Sequence, residues 1–186
     1  MPKTKPEPDS SLFRRPFSEK GRMKTATLCF AIDHNNGKPR VLLGLKKRSF
    51  GKGKWNGFGG KIEANETPEQ AIVREMREES GLTIQETDLQ KRGEIFFKTD
   101  KNPFKTNALD EWMVHVFVTE KWGGKPVETD EMKPEWFLLN QLPFHQMWAD
   151  DSIWLLPVLE GSKIKARFEF GVDDETIKDY ELEQLG

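Results

Sequence analysis

Runs of apolar and β-branched residues alternate with polar, glycine-rich turns along this chain, which is typical of short strands. We predict strands at 24–32, 40–45, 93–98, 114–118, 136–138 and 164–170, and helices at 68–80 and 151–160. The alternation in 164–170 favours an edge or half-buried strand. Strands with one helix between them and another later predict an α/β fold with a mixed sheet between helices.

Two loops carry local signals. Asn36-Gly37 favours a hairpin turn between the first two strands. The stretch 51–60 contains too many glycines for a helix, and such a loop lets the backbone approach a ligand closely.

The helix predicted at 68–80 has clear ends. Thr67 can cap its first turn, Pro68 suits the first helical position, and Gln70 completes a capping box. Gly81 is a natural residue to end it. Ala71, Ile72 and Met76 form the apolar stripe that would face a core.

This helix also carries an unusual concentration of acid. At roughly 100° per residue, Glu75, Glu78 and Glu79 project from one face. They repel one another, and Arg74 and Arg77 relieve only part of that repulsion. A hard divalent cation with oxygen ligands relieves it better, although a solvated helix face of alternating charges is the simpler alternative.

The surrounding residues decide between these interpretations. Together with the helix, they follow the spacing G-x(5)-E-x(7)-REUxEExGU, where U is apolar. They are Gly60, Glu66, Arg74–Glu75, Glu78–Glu79 and Gly81–Leu82, with Met76 at the inner apolar position. The segment therefore resembles the Nudix box. The resemblance implies an α/β/α sandwich and hydrolysis of a nucleoside diphosphate linked to another moiety, with Mg²⁺ as cofactor and Mn²⁺ as the alternative.

Bulk properties narrow the class further. The chain has 186 residues, which suits one domain, and its net charge of -2 argues against a nucleic-acid or anionic-membrane surface as main partner. The single cysteine, Cys29, lies in an apolar run and is interpreted as a core residue rather than a nucleophile. We expect a cytoplasmic monomer acting on a small nucleotide, with a nuclear or mitochondrial fraction as the alternative.

The first residues differ in composition from the rest. Prolines scattered among charged residues predict a disordered tail at 1–21, ahead of a single domain at 22–186. Acidic residues in the tail argue against a mitochondrial presequence.

Three further segments resemble one branch of the family, the animal MutT-type enzymes that act on oxidised purine nucleoside triphosphates. They are 41–61, 128–137 and 142–154, and the likeness runs from about residue 24 to residue 180. The resemblance implies hydrolysis to the monophosphate and pyrophosphate. Hydrolysis of ADP-ribose or a dinucleoside polyphosphate, and a non-catalytic nucleotide-binding module, stay as alternatives.

Several of these residues suit a purine pocket. Trp148 can stack on a base, Phe50 and Phe97 can close an apolar slot, and the Asn56 amide offers a donor and an acceptor to a base edge.

Asp150 and Asp151 are adjacent carboxylates. In a dry pocket, burial and like charge raise the pKa of at least one of them. A protonated Asp donates and an ionised one accepts, so the pair could accept either oxidised guanine or oxidised adenine. The alternative is that one Asp caps the following helix and Trp148 lies in the core.

The resemblance also assigns roles by position. The substrate contacts would be Thr27, Lys46, Asn56, Phe58, Gly59, Gly60, Lys61, Trp148, Asp150 and Asp151. The metal ligands would be Gly59 through its carbonyl, Glu75, Glu78, Glu79 and Glu131. Glu79 is our candidate general base, with Glu78 second, and Arg74 would orient the carboxylates. Without the resemblance, Thr27 is an ordinary strand residue, Lys46 a solvated charge and Glu131 an exposed loop acid.

The chain departs from this branch near the base. Ala149 replaces a proline, Trp112 replaces a methionine, Thr99 replaces a phenylalanine, and the stretch 98–111 is longer. These differences concern the preferred base more than the chemistry.

Overall fold

The computed structural model describes residues 23–34, 37–99 and 111–185. The strands are β1 (Lys24–Asp33), β2 (Arg40–Lys46), β3 (Trp55–Asn56), β4 (Leu89–Thr99), β5 (Glu111–Thr119), β6 (Met132–Leu138), β7 (Lys163–Phe170) and β8 (Ile177–Leu185). The helices are α1 (Pro68–Ser80) and α2 (Asp151–Leu159), with short 3₁₀ turns at Glu86–Asp88, Leu139–Gln141 and Phe144–Gln146. Within these residues, no helix is both long and apolar enough to cross a membrane.

The strands form one mixed sheet in the order β3-β2-β1-β5-β4-β7-β8, and β6 pairs with β2. The β1–β5 and β4–β7 pairs are parallel, whereas the other pairs are antiparallel. The antiparallel pairing of β1 with β2 confirms the predicted hairpin, although Asn36 itself lies outside the described residues.

A hydrophobic core lies on each face of the sheet, which confirms the predicted α/β/α sandwich. Side chains alternate along a strand, so β1 contributes to both cores. Phe30 and Ile32 pack in the cluster that contains α2, whereas Cys29 and Ala31 pack in the cluster that contains α1. Cys29 is fully buried and burial raises the pKa of its thiol, which confirms its predicted place in the core.

β1 pairs with β2 over only three residues, Ala31 to Asp33. Nearer the start of β1, the loop after β3 takes the place of β2. The Cys29 N–H donates to the Phe58 carbonyl at 2.7 Å, and the Thr27 N–H donates to the Gly60 carbonyl at 2.8 Å. The glycine-rich loop is therefore held against the central strand of the sheet, directly before α1.

Two strands were not predicted. β3 has only two residues, and β8 lies beyond β7 at the edge of the sheet. The edge alternative for 164–170 was therefore wrong, whereas the half-buried alternative is confirmed. The predicted tail at 1–21 and residues 100–110 of the long stretch lie outside the described residues.

Candidate active site

Helix α1 begins and ends as its sequence predicts. The Thr67 hydroxyl accepts the Gln70 N–H at 3.2 Å, and the Gln70 side chain accepts the Thr67 N–H at 2.9 Å. Gly81 takes a left-handed conformation and donates to the Arg77 carbonyl. Ala71, Ile72 and Met76 are fully buried, so packing fixes which face of the helix carries the carboxylates.

Arg74 is the centre of an ion-pair network on this face. Its guanidinium donates to both Glu66 oxygens, at 2.7 and 3.2 Å, to Glu75 at 2.8 Å and to Glu78 at 3.4 Å. It also donates to the Lys61 carbonyl at 3.2 Å, which ties α1 to the glycine-rich loop. The bidentate pair lowers the pKa of Glu66.

Glu79 has a different environment from the other box glutamates. Its side chain is buried, and Oε2 accepts the Gly59 N–H at 2.9 Å. Burial raises its pKa to about 7, an effect that the Gly59 hydrogen bond and the Lys46 ammonium only partly offset. A carboxylate with this pKa can exchange a proton near neutral pH.

Four carboxylates share one negative region. Burial raises the pKa of Glu75, and the charges of Glu78 and Glu131 raise it further. The charges of Glu75 and Glu131 likewise raise the pKa of Glu79. Glu131 lies just before β6, far from the box in the sequence, and the fold brings its charge close to the box glutamates. Its carboxylate forms an ion pair with Arg48.

Several glutamate carboxyl groups lie close enough here to raise one another's pKa. Their oxygens are the type of ligand that a hard divalent cation prefers, so the residues present fit such an ion. The arrangement is not a ready-made cage. Among the described residues, no three His, Cys, Asp or Glu side chains are grouped closely enough to hold an ion as they stand. Arg74 and Arg48 instead occupy positions beside the acids.

Close approach explains the glycines of the loop. A side chain at Gly59 would collide with the Thr27 carbonyl, and one at Gly60 would collide with the Glu75 carboxylate. The Phe58 side chain is fully buried in the core beneath α1, and its N–H and C=O both pair with Cys29. The structure therefore gives the Phe58 side chain a packing role rather than a surface that meets a substrate.

The predicted purine pocket lies at the other core. Trp148 is half-buried and stacks on Phe50, with ring centroids 4.8 Å apart and an interplanar angle of 22°. The Lys54 ammonium lies 4.8 Å from the Trp148 ring centre. Phe97 stacks instead on Phe168, at 5.9 Å, so the two phenylalanines proposed to close one slot do not pack together.

Asp150 and Asp151 are both buried. Asp150 Oδ2 accepts the Trp154 indole N–H at 2.8 Å, and Asp151 Oδ2 accepts the Trp148 N–H at 3.0 Å. Burial raises the pKa of Asp150 to about 6, and burial together with the Asp150 charge raises that of Asp151 well above its usual range. Both pKa shifts have the predicted direction. Asp150 stands at the cap position without a capping hydrogen bond from its side chain, which argues against the helix-cap alternative for this residue.

The other predicted contacts lie on β2, on β3 and directly before α1. The Asn56 Oδ1 accepts the Gly57 N–H at 2.8 Å, and Lys46 ends β2. Lys61 lies with its ammonium 5.8 Å from the Trp112 ring centre. Trp112 is the direct neighbour of Phe97 across β4 and β5, so this replacement does fall on the wall that carries Phe97.

Sequence reasoning missed three residues of the site. Glu66 is a fixed position of the box, so its pairing with Arg74 had a local signal. Arg48 and Lys54 had none, because they lie in a segment that is rich in lysine and arginine throughout.

Known proteins similar to this chain identify its family. The NUDIX domain profile matches residues 23–156. The chain belongs to the Nudix family. It is 45% identical to the oxidized purine nucleoside triphosphate hydrolase of Danio rerio over 146 residues, which cover 78% of this chain and 88% of the relative. The Mus musculus enzyme of the same name is 44% identical with the same coverage.

Solved structures also share the architecture of this Nudix chain. A MutT protein from Bacillus halodurans superposes with a TM-score of 0.70 at 25% identity, covering 87% of this chain and 98% of the other.

Proposed function

We propose that this Nudix chain hydrolyses oxidised purine nucleoside triphosphates, such as 8-oxo-dGTP and 2-hydroxy-dATP, to the monophosphate and pyrophosphate. The observation that carries the proposal is a complete box folded around Arg74 and a buried Glu79, with a buried acidic pair beside Trp148. The similarity to two enzymes named for this activity, over 78% of the chain, supports it.

Mg²⁺ is the proposed cofactor, with Mn²⁺ as the alternative, and Glu75, Glu78, Glu79, Glu131 and the Gly59 carbonyl would hold it. When bound, the ion would neutralise phosphate oxygens and make water easier to deprotonate. Glu79 takes the proton of the attacking water, while its Oε2 stays oriented by the Gly59 N–H. The water oxygen bonds to phosphorus as the bond between the α- and β-phosphates breaks, and pyrophosphate leaves.

The purine would stack on Trp148, and the Asp pair would read its edge. Because the two carboxyl groups are buried and titrate above their usual range, one can donate while the other accepts. This activity would keep damaged bases out of nucleic acid synthesis and so limit DNA damage. We place the protein in the cytoplasm as a monomer, with a nuclear or mitochondrial fraction as the alternative.

A substrate panel tests the proposal. Pyrophosphate and the nucleotide products are both quantified for 8-oxo-dGTP, 2-hydroxy-dATP, 6-O-methyl-dGTP, dGTP, ADP-ribose and a dinucleoside polyphosphate, with Mg²⁺ and with a chelator. The nucleotide products are needed because hydrolysis of the last two substrates releases no pyrophosphate. We expect the modified purine triphosphates to be preferred and turnover to need the metal. Preference for ADP-ribose or for the dinucleoside polyphosphate would assign another Nudix activity. Tight binding without turnover would indicate a non-catalytic module.

A further inference from the structure

Lys54 lies where three separate parts of the fold meet. It ends the loop between β2 and β3, its ammonium lies 4.8 Å from the Trp148 ring centre, and the same ammonium is 3.3 Å from a Glu175 carboxylate oxygen. Glu175 belongs to the turn between β7 and β8. A single cation thus connects the stacking face of Trp148 to the far edge of the sheet.

Both ends of this connection are held in place by backbone hydrogen bonds. The Lys54 carbonyl accepts the Lys46 N–H at 3.0 Å, which fixes Lys54 to the end of β2. In the turn, Asp173 Oδ1 accepts the Glu175 N–H at 3.1 Å. Lys54 is also three-quarters buried, with 25% of its side chain exposed, so its position is better defined than that of a surface lysine.

Lys54 is linked to the buried Asp pair through Trp148. The Trp148 N–H donates to Asp151 Oδ2 at 3.0 Å, so the ring beside the ammonium and the buried carboxylate belong to one hydrogen-bonded unit. The charges that act on Asp151 are Asp150, from the start of α2, and Lys54, from the loop. Burial and Asp150 raise the pKa of Asp151, whereas Lys54 lowers it. Glu175 acts on the pair through Lys54, by holding the ammonium.

We propose that Lys54 is a specificity-determining positioning residue: its ammonium, tethered by Glu175, decides which hydrogen-bonding pattern the Asp150–Asp151 pair offers to a base. The proposal rests on the proposed function, in which that pair reads the purine. Without the cation, only hydrogen bonds such as those from Trp148 and Trp154 oppose the effects of burial and mutual repulsion on the two carboxyl groups. The pair then keeps its proton to higher pH and offers a donor over a wider pH range.

The test compares Lys54→Met, which keeps the aliphatic stem, with Lys54→Arg, which keeps the charge. Lys52→Met, on an exposed residue of the same loop, is the matched control for net charge. The measured quantity is the ratio of kcat/KM for 8-oxo-dGTP to that for 2-hydroxy-dATP, followed from pH 5 to 9. We expect the midpoint of its pH dependence to rise by about one unit in Lys54→Met and to stay near the wild-type value in Lys54→Arg and Lys52→Met.

Glu175→Gln is an intermediate case, because the ammonium stays but loses its tether. We expect a smaller shift of the midpoint than in Lys54→Met, together with little change in melting temperature, since the pair is exposed on the Glu175 side.

Three results would overturn the proposal. An unchanged midpoint in Lys54→Met would show that the cation does not act on the pair. An equal shift in Lys54→Arg, which keeps the charge, would show that loss of the positive charge does not cause the shift. An equal rise in KM for both substrates, with no shift of the midpoint, would place Lys54 against the triphosphate instead.

A measurement without substrate separates this inference from the proposed function. Carboxyl carbon NMR titration of Asp150 and Asp151 follows the pair directly in the folded chain. An upward shift in Lys54→Met supports the electrostatic link, even if neither oxidised triphosphate is hydrolysed; in that case the role in selectivity fails with the proposed function. No shift in the titration would overturn the link itself.

Discussion

The box carboxylates and the Asp150–Asp151 pair are two acidic clusters that control their charge in opposite ways. In the box, guanidinium groups lie beside the acids: Arg74 binds Glu66, Glu75 and Glu78, and Arg48 binds Glu131. The Asp pair is instead buried, and its oxygens accept hydrogen bonds from an indole N–H and a backbone N–H.

This difference teaches how the same functional group is prepared for two tasks. An arginine partner favours the ionised form of an acid, as Arg74 does for Glu66, and a face of ionised acids suits a cation. Acids that are buried hold a proton instead, which lets them donate as well as accept hydrogen bonds. Glu79 stands between the two cases, because it belongs to the box but is buried and has a raised pKa.

The largest expected effect comes from removing the charge of Glu79. Glu79→Gln should lower kcat by on the order of a hundredfold or more, because it removes a base or metal ligand. The amide can still accept the Gly59 N–H and carries no buried charge, so the fold should survive and the melting temperature should not fall. Steady-state pyrophosphate release at saturating Mg²⁺ checks this, with Glu69→Gln, which lies outside the box pattern on α1, as control. Near-normal turnover in Glu79→Gln would show that the box face does not carry the reaction.

Asp150→Asn should change selectivity more than turnover. An amide always offers an NH₂ donor and cannot ionise, so the kcat/KM ratio for 8-oxo-dGTP against 2-hydroxy-dATP should shift by roughly 1–3 kcal/mol, tenfold or more. The Mg²⁺ dependence should stay unchanged, because the pair lies apart from the box. Equal losses on both substrates would separate the pair from base reading.

The same substitution should alter the pH dependence of stability. Asp150 has a folded pKa of about 6 against 3.8 ordinarily, so between these values the folded chain keeps a proton that the unfolded chain loses. Stability therefore falls as pH rises through that window, and Asp150→Asn should flatten the fall. We expect a gain of roughly 3 kcal/mol well above pH 6, less any change in Asp151.

Denaturant unfolding at pH 4 and pH 7.5 measures this, with the exposed Asp130→Asn as control. A variant that is less stable than wild type at both pH values would mean that the Asp150 charge is compensated in the folded chain.

The smallest effect should come from Arg48→Met. Both partners of the Arg48–Glu131 pair are substantially exposed, so the free energy of unfolding should change little. Freeing Glu131 should lower the Mg²⁺ concentration for half-maximal turnover about twofold, by removing a competing cation. A higher requirement would show that Arg48 orients Glu131 rather than competes for it. Arg77→Met on α1 is the control.

Local signals made some elements predictable and left others out of reach. The bounds of α1 followed from Thr67, Pro68, Gln70 and Gly81, all within one helix and its caps. β8 could not be predicted in this way, because its sequence IKDYELEQL is largely exposed and becomes a strand only by pairing along β7. Tertiary pairing overrides a weak local pattern there.

The candidate site divides in the same manner. Arg74, Glu75 and Glu79 share one helix, so their spacing predicted a common face. Lys54 acts across contacts with Trp148 and Glu175, which are about a hundred residues away in sequence, and a lysine among several lysines gives no sign of this. Residues that meet only in the folded chain cannot be found from their spacing in the sequence.

The chain's only cysteine can report how often the sheet opens. Cys29 is fully enclosed in a central strand and its thiol resists ionisation, so an alkylating reagent reaches it only when that strand separates from its neighbours. Labelling rates, read by mass spectrometry, would therefore time the opening of the sheet. The same rates would show whether nucleotide or metal slows that opening, with no residue replaced.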